Sequence, residues 1–192
     1  MTHRDKIIQV YTDRCATHKD CGWNAAYYIS QKDQDERFRK VLRHIDAGAS
    51  VLDIGCGQGD ILNFIDPEKY LGVDVCQPML DYARIKFPKA QFLNADIMEM
   101  PVGNHYDVAI AVGTFSQMLE DNYTYLVQAI KSMFLHSDRL IFTITSDLFS
   151  HPDVFHYNAL TIMQMCLFIT RRVVVDTMSL PFEIILCLQK DV

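Results

Sequence analysis

Three glycines at alternate positions form the stretch of this sequence that is best suited to chemistry. Gly55, Gly57 and Gly59 follow the short apolar run Val51–Ile54, which contains the acid Asp53. We interpret the stretch as a buried strand, a tight loop and a helix. Glycines let the backbone approach a ligand closely, and the amides at a helix N-terminus can donate to an anionic group. The pattern therefore predicts a site for a nucleotide-like ligand.

Acidic side chains lie at the ends of the predicted strands around this loop. Asp53 is in the first strand, Asp74 closes the second, and Asp96 follows the third. Because the carboxyl ends of parallel strands meet in one crevice, these acids should face the same ligand as the glycine loop. A carboxylate at position 74 can accept hydrogen bonds from both hydroxyls of a ribose, and one at position 96 can accept from the amine of an adenine.

Alternating strands and helices position these residues. The pattern predicts strands at 51–54, 70–75, 106–112, 139–145, 172–176 and 182–188, with the third strand and its turn at 91–96. It predicts helices at 58–65, 78–87, 123–134 and 154–168, after two helices near the N-terminus. This order is typical of an α/β fold in which helices cover both faces of a mostly parallel sheet. The link between the last two strands has no room for a helix, so they must pair antiparallel.

Length, charge and cysteine content restrict the class of protein. The 192 residues are predicted to form one domain, with an N-terminal helical arm at 1–46 that could act as a lid and a core at 47–192. No apolar run could span a membrane or serve as a secretory signal, which favours the cytoplasm. The net charge of −6 and the scattered basic residues argue against nucleic acid as a partner. Without a C-x-x-C pair, the cysteines are predicted to be reduced thiols and no metal site is expected.

The segment VLDIGCGQG at 51–59 resembles the first motif of the class I S-adenosylmethionine-dependent methyltransferases. Asp74, the segment NADI at 94–97 and the segment YDV at 106–108 are similar to the second, third and fourth motifs. The resemblance implies a three-layer αβα, Rossmann-like sheet of seven strands with an antiparallel C-terminal strand. It also implies that S-adenosylmethionine is the methyl donor and that S-adenosylhomocysteine is released.

The resemblance also implies a role for individual residues. The Gly55 to Gly59 loop, with Cys56, would lie against the methionine part of the cofactor, and Asp74 would hold the ribose. The adenine would meet Val75, Met79, Asp96 and Ile97, and the methyl end would meet Val112 and Gly113. Arg37 could reach the cofactor carboxylate, because arginine pairs with carboxylates in a bidentate way.

Methyl transfer from a sulfonium requires alignment more than acid or base catalysis. If the acceptor arrives protonated, the candidate bases are His151, His156 and Tyr157. Trp23, Phe115 and Ser116 are candidates for the acceptor pocket.

The segment after the fourth strand lacks the sequences that mark DNA methyltransferases, which favours a small-molecule acceptor. A binding or regulatory module without catalysis, and a methyltransferase for protein or RNA, remain alternatives. The glycine spacing and the paired terminal strands disfavour a dinucleotide-dependent hydride-transfer enzyme.

Overall fold

The computed structural model describes residues 2–17, 23–26, 28–147, 152 and 154–191. The helices are α1 His3–Thr17, α2 Gln31–Leu42, α3 Gln77–Lys86, α4 Asn122–Met133 and α5 Ala159–Ile169. The strands are β1 Val51–Ile54, β2 Tyr70–Asp74, β3 Gln91–Asn94, β4 Val108–Ala111, β5 Arg139–Thr145, β6 Arg172–Asp176 and β7 Glu183–Gln189.

All the strands join one seven-stranded sheet in the order β3-β2-β1-β4-β5-β7-β6. β1 pairs in parallel with β2 and β4, and the parallel pairing continues to β3 on one side and to β5 on the other. β7 lies between β5 and β6 and is antiparallel to both. The structure therefore confirms the predicted α/β fold, with its antiparallel C-terminal strand.

The sheet is covered on both faces because successive strand residues point to opposite sides. In β1, Leu52 and Ile54 join one apolar core, which α4 and α5 complete. Val51 joins a second core on the opposite face, where α2 contributes Phe38 and Val41. This arrangement gives the three-layer αβα architecture and leaves the carboxyl ends of the parallel strands at one edge.

The helix predicted at 58–65 is wrong. The chain there forms one short 3-10 turn, Asp60–Asn63, and a second 3-10 turn follows at Pro67–Lys69. Its apolar residues fit a helical pattern, but Gly59 takes a left-handed φ of 72° before the first turn, and Pro67 opens the second. The segment between Gly59 and Pro67 is too short for a full crossover helix. Ile61 and Leu62 are therefore buried as part of a 3-10 turn.

The helix predicted at 154–168 begins later, at Ala159. Tyr157 forms an isolated bridge with Ser146 and donates its backbone N–H to Thr145, which keeps residue 157 extended. The Asn158 side chain then caps α5 by accepting from the N–H of Thr161. Within the described ranges, no helix combines the length and the apolar character needed to cross a membrane.

Candidate active site

The glycine loop adopts the left-handed backbone that its sequence predicts. φ is 70° at Gly55, 55° at Gly57 and 72° at Gly59. A methyl group added at Gly55 would lie 2.5 Å from Cγ2 of Thr114, whereas one added at Gly57 would meet only the Met79 sulfur, at 3.6 Å. Glycine is thus required by close packing at position 55 and by φ alone at position 57.

Asp74 braces this loop from the end of β2. Its Oδ2 accepts a hydrogen bond of 2.8 Å from the N–H of Gly57, and its Oδ1 accepts one of 2.8 Å from the N–H of Cys76. Each carboxylate oxygen keeps a second lone pair that can accept from a ligand hydroxyl. Burial raises the pKa of Asp74, and the backbone donors oppose that effect.

Asp53 is buried beside the same loop. Its Oδ2 accepts a hydrogen bond of 2.7 Å from the hydroxyl of Tyr70. Burial raises the pKa of Asp53 to about 7, and the negative charge of Asp74 adds to this, while the Tyr70 hydrogen bond lowers it. Near neutral pH the carboxyl is therefore poised to lose a proton when a cation binds nearby.

A cavity opens at the carboxyl edge of β1, β2 and β4. Most of the predicted cofactor residues line it: Asp53, Gly55, Cys56, Gly57, Asp74, Val75, Met79, Asp96, Ile97, Val112 and Gly113. Ile7 and Tyr11 of α1, with Tyr28, Gln34, Gln58, Thr114 and Tyr125, also line it and were missed from the sequence. The missed residues come from helices and loops whose approach to the crevice no local pattern reveals.

Two predicted cofactor residues lie elsewhere. A methyl group at Gly59 would come within 3.0 Å of the Phe92 ring, so this glycine serves packing against β3. Arg37 does not line the first cavity but a second one, where its Nη1 lies 2.8 Å from Glu183 Oε1. An arginine committed to a buried carboxylate is poorly placed to pair with the carboxylate of the cofactor.

The second cavity adjoins the first, since Ala26 and Gly113 line both. A methyl group built on Gly113 would lie 3.4 Å from the Tyr28 hydroxyl oxygen and 3.6 Å from Nη1 of Arg37. The wall of the second cavity has a polar part, formed by Asp33, Arg37, Ser116, Thr145 and Glu183, and an apolar part, formed by Ile29, Val154, Leu180, Pro181 and Phe182.

A cluster of charges forms the polar wall. The Arg37 guanidinium stacks 4.5 Å from the centroid of the Tyr28 ring, and its Nη2 lies 3.6 Å from Asp33 Oδ2. Oε2 of Glu183 and Oδ2 of Asp33 are buried and accept no hydrogen bond among the described residues. Burial raises the pKa of Glu183, and Arg37 and the Thr143 hydroxyl oppose the shift.

The predicted acceptor residues are placed differently from one another. Ser116 lines the second cavity, and its hydroxyl donates to the carbonyl of Gly113. Phe115 is 3% exposed and packs edge-on against Phe142 in the core, so its placement contradicts a role in the pocket. Trp23 is absent from the described lining of both cavities, although Ala26, three residues later, lines both.

The predicted bases are not supported by their positions. Tyr157 is fully buried and donates its hydroxyl to the carbonyl of Phe115, so it cannot reach the crevice. His156 is half-buried and does not figure in the described lining of either cavity. His151 lies outside the described residues.

The N-terminal helix lies across the first cavity. Ile7 and Tyr11 line it, and Lys6 donates to the carbonyl of Met118 at 2.6 Å. Arg4 pairs with Glu99 at 2.6 Å, beyond β3. These contacts join α1 to both sides of the crevice, and the predicted lid movement of the arm stays a prediction.

Comparison with known sequences places this site in context. The family model described as "Methyltransferase domain" matches residues 51–134, which contain the glycine loop and the acids of the first cavity. A trans-aconitate 2-methyltransferase from an Enterobacter species is 27% identical over 121 residues, covering 59% of this chain and 48% of the relative. The chain spans less than half the length of the curated relatives it matches.

Solved structures share the fold over nearly the whole chain. Magnesium protoporphyrin IX methyltransferase from Synechocystis, solved with bound SAM, superposes with a TM-score of 0.67 at 16% identity and covers 100% of this chain and 98% of its own. The N-methyltransferase NodS from Bradyrhizobium japonicum, in complex with S-adenosylhomocysteine, gives a TM-score of 0.70 at 16% identity, covering 96% of this chain and 98% of its own. At such identities the likeness establishes the fold.

Proposed function

Because the chain belongs to the class I S-adenosylmethionine-dependent methyltransferases, we propose that it transfers the methyl group of S-adenosylmethionine to a small-molecule acceptor. The observation that carries this proposal is the junction of two cavities at Gly113. One cavity has the glycine cradle and the acids that suit the cofactor. The other opens beside the position proposed for the methyl group.

The residues of the first cavity suit S-adenosylmethionine. The left-handed glycines at 55 and 57 leave backbone where a side chain would fill the space. Asp74 would accept from the ribose hydroxyls, and Val75 and Met79 would contact the adenine, with Asp96 and Ile97 at its edge. Asp53 would lie near the positively charged methionine end, where a carboxylate is stabilising.

When bound, S-adenosylmethionine supplies an electrophilic methyl group. The chain's own contribution is to align the acceptor with it and to keep water out. Ile7 and Tyr11 of α1 line the first cavity, and the apolar wall of the second would pack against the acceptor. Gly113 lies where the two cavities meet, and a Cβ there would make ordinary contacts with the Tyr28 hydroxyl and the Arg37 guanidinium.

Calorimetric titration with S-adenosylhomocysteine tests the cofactor assignment. We expect the wild type to bind, and Asp74→Ala to bind about 100-fold more weakly because it loses charge-assisted hydrogen bonds to the ribose. Asp81→Ala is the matched control, since Asp81 lies on α3 with a 60% exposed side chain and pairs only with Arg84 and Gln77 among the described side chains. Absence of binding by the wild type, or equal binding by Asp74→Ala, would contradict the proposal.

Formation of S-adenosylhomocysteine with pools of small metabolites tests the transfer step. Turnover with any pool would reject a purely binding or regulatory module. Activity confined to protein or RNA fractions would contradict a small-molecule acceptor. We propose the cytoplasm as the compartment of this activity, because the cysteine spacing fits no disulfide framework.

A further inference from the structure

We propose that the acceptor is an amine with an apolar body, and that Glu183 binds its nitrogen and removes its proton. This inference rests on the proposed function and assigns a substrate class and a catalytic residue to the second cavity. It is carried by the unpartnered carboxylate oxygens of Asp33 and Glu183, two residues that line the same cavity as Gly113. Arg37, the ion-pair partner of Glu183, lies 3.6 Å from the position that a Cβ of Gly113 would take.

Glu183 is held in place on one side and unpartnered on the other. Only 9% of the residue is exposed, and its Oε1 is fixed by Arg37 at 2.8 Å. Its Oε2 is buried without a hydrogen-bond partner among the described residues, which is a costly arrangement unless a ligand completes it. A donor from the acceptor is the natural partner, because an ionised carboxylate can only accept hydrogen bonds.

The charge of the cavity wall selects the kind of donor. Among the described residues that line the cavity, Asp33 and Glu183 contribute two carboxylates against the one guanidinium of Arg37. Asp33 Oδ2 is buried, also lacks a hydrogen-bond partner in the described part of the chain, and lies 3.6 Å from Arg37 Nη2. The excess of negative charge favours an ammonium group, and it disfavours a carboxylate acceptor such as the one in the name of the trans-aconitate relatives.

The rest of the cavity indicates an apolar body. Ile29 is 76% exposed and Phe182 is 45% exposed, and both line the cavity together with Leu180 and Pro181. Exposed apolar side chains that surround a buried polar cluster are typical of a site for an amphipathic ligand. An amine with an aromatic or aliphatic body satisfies both walls at once.

The proposed reaction consists of one proton transfer and one methyl transfer. The acceptor ammonium gives one proton to Glu183 Oε2, and the freed lone pair of nitrogen forms a bond to the methyl carbon while that carbon's bond to sulfur breaks, leaving the electron pair on sulfur. The product is a methylated ammonium ion, and Glu183 afterwards releases its proton to water. Burial raises the pKa of Glu183, which makes its carboxylate a better proton acceptor than a solvated glutamate.

Binding of matched amines and carboxylates tests the substrate class. Benzylamine with phenylacetate, and phenethylamine with hydrocinnamate, are titrated calorimetrically into protein saturated with S-adenosylhomocysteine. We expect at least one amine to bind about tenfold or more tightly than its matched carboxylate. The inference is overturned if no amine binds, or if each carboxylate binds as tightly as its amine.

Variants test the residue. Glu183→Gln keeps an acceptor for Arg37, so it should fold, bind S-adenosylhomocysteine as the wild type does, and bind the amine about tenfold or more weakly. Asp33→Asn, at a more exposed site, should weaken amine binding severalfold, and Glu36→Gln on the same helix, with a 57% exposed side chain, should change nothing. Unchanged amine binding by Glu183→Gln overturns the inference, whereas loss of S-adenosylhomocysteine binding by the wild type would overturn the proposed function instead.

A pH profile separates proton removal from binding alone. Wild-type turnover of the tightest amine should rise with pH as Glu183 ionises, and Glu183→Gln should lose that rise. The groups that face Glu183 are Arg37 and Asp33 from α2, Thr143 from β5 and Tyr28 from the segment before α2. A profile identical in wild type and Glu183→Gln, or no turnover of any amine that binds, would overturn the catalytic role.

Discussion

Alanine substitutions at two neighbouring glycines should separate stability from cofactor binding. Gly55 and Gly57 have similar left-handed φ values, of 70° and 55°, and both line the first cavity. A Cβ at position 55 would lie 2.5 Å from Thr114 Cγ2 and 2.6 Å from its Oγ1, but a Cβ at position 57 would have only an ordinary contact, at 3.6 Å from the Met79 sulfur. Both alanine variants therefore bear the cost of a left-handed backbone, and only Gly55→Ala also bears the cost of overpacking.

The magnitudes follow from these two costs. A left-handed backbone costs an L-residue about 1 kcal/mol, and overpacking costs about 1 to 3 kcal/mol. We expect Gly55→Ala to lower the free energy of unfolding by about 2 to 4 kcal/mol, and Gly57→Ala by about 1 kcal/mol. Gly57→Ala should nevertheless weaken S-adenosylhomocysteine binding substantially, because the new methyl group takes cavity space beside Met79.

Urea unfolding of the ligand-free protein and calorimetric titration are the two assays. Thr114 provides an internal test, because Thr114→Ala removes the two atoms that clash and also the hydrogen bond of 2.8 Å to the Ile54 carbonyl. That substitution alone should cost about 1 kcal/mol, while in the Gly55→Ala background it should restore about 1 to 2 kcal/mol. Equal destabilisation by the two glycine substitutions, or additive effects at 55 and 114, would refute the packing argument.

Three further predictions concern pH and packing. The pKa of Asp53 is raised to about 7 in the folded protein, so its stabilising contribution is complete below its unfolded pKa of about 4 and is lost as pH rises through about 7. Asp53→Asn should remove this pH dependence of the free energy of unfolding, which amounts to at most about 4 kcal/mol in urea titrations. Burial lowers the pKa of His136, whose ring nitrogens are buried without hydrogen-bond partners among the described residues. Wild-type stability should therefore fall as pH drops below about 6.5, and urea midpoints that fall equally in His136→Leu would contradict this. Gly59→Ala should cost about 2 kcal/mol through contact with Phe92 yet leave the Kd for S-adenosylhomocysteine unchanged, and a weakened Kd would return Gly59 to the cofactor site.

Local pattern was sufficient for most of the sheet. The bounds of β1, β5 and β6 are those that the sequence predicts, because each is a short apolar run with clear breaks. The failure at 58–65 arose where the apolar spacing fits a helix but the connection is too short to contain one. Tertiary constraints, namely the left-handed Gly59 and the position of Pro67, decided the conformation there.

Motif spacing predicted the first cavity better than the second. The glycine loop and the strand-end acids lie within one continuous region, and their geometry follows from parallel strands alone. Arg37 was predicted for the cofactor because its partner could not be known: Glu183 is 146 residues away in sequence and meets it only across the folded sheet. Phe115 and Tyr157 were predicted for the site because each follows a strand, but both are buried. The sequence alone does not distinguish an aromatic residue that packs inward from one that lines a pocket.

The position of Glu183 also shows which sequence signal could have revealed it. In a parallel strand the last residue reaches the carboxyl edge of the sheet, as Asp74 does in β2. β7 runs the other way, so its first residue reaches that edge, and Glu183 pairs there with Thr145, the last residue of β5. An acid that opens an otherwise apolar antiparallel strand is therefore equivalent to an acid that closes a parallel one, because both lie at the carboxyl edge of the sheet.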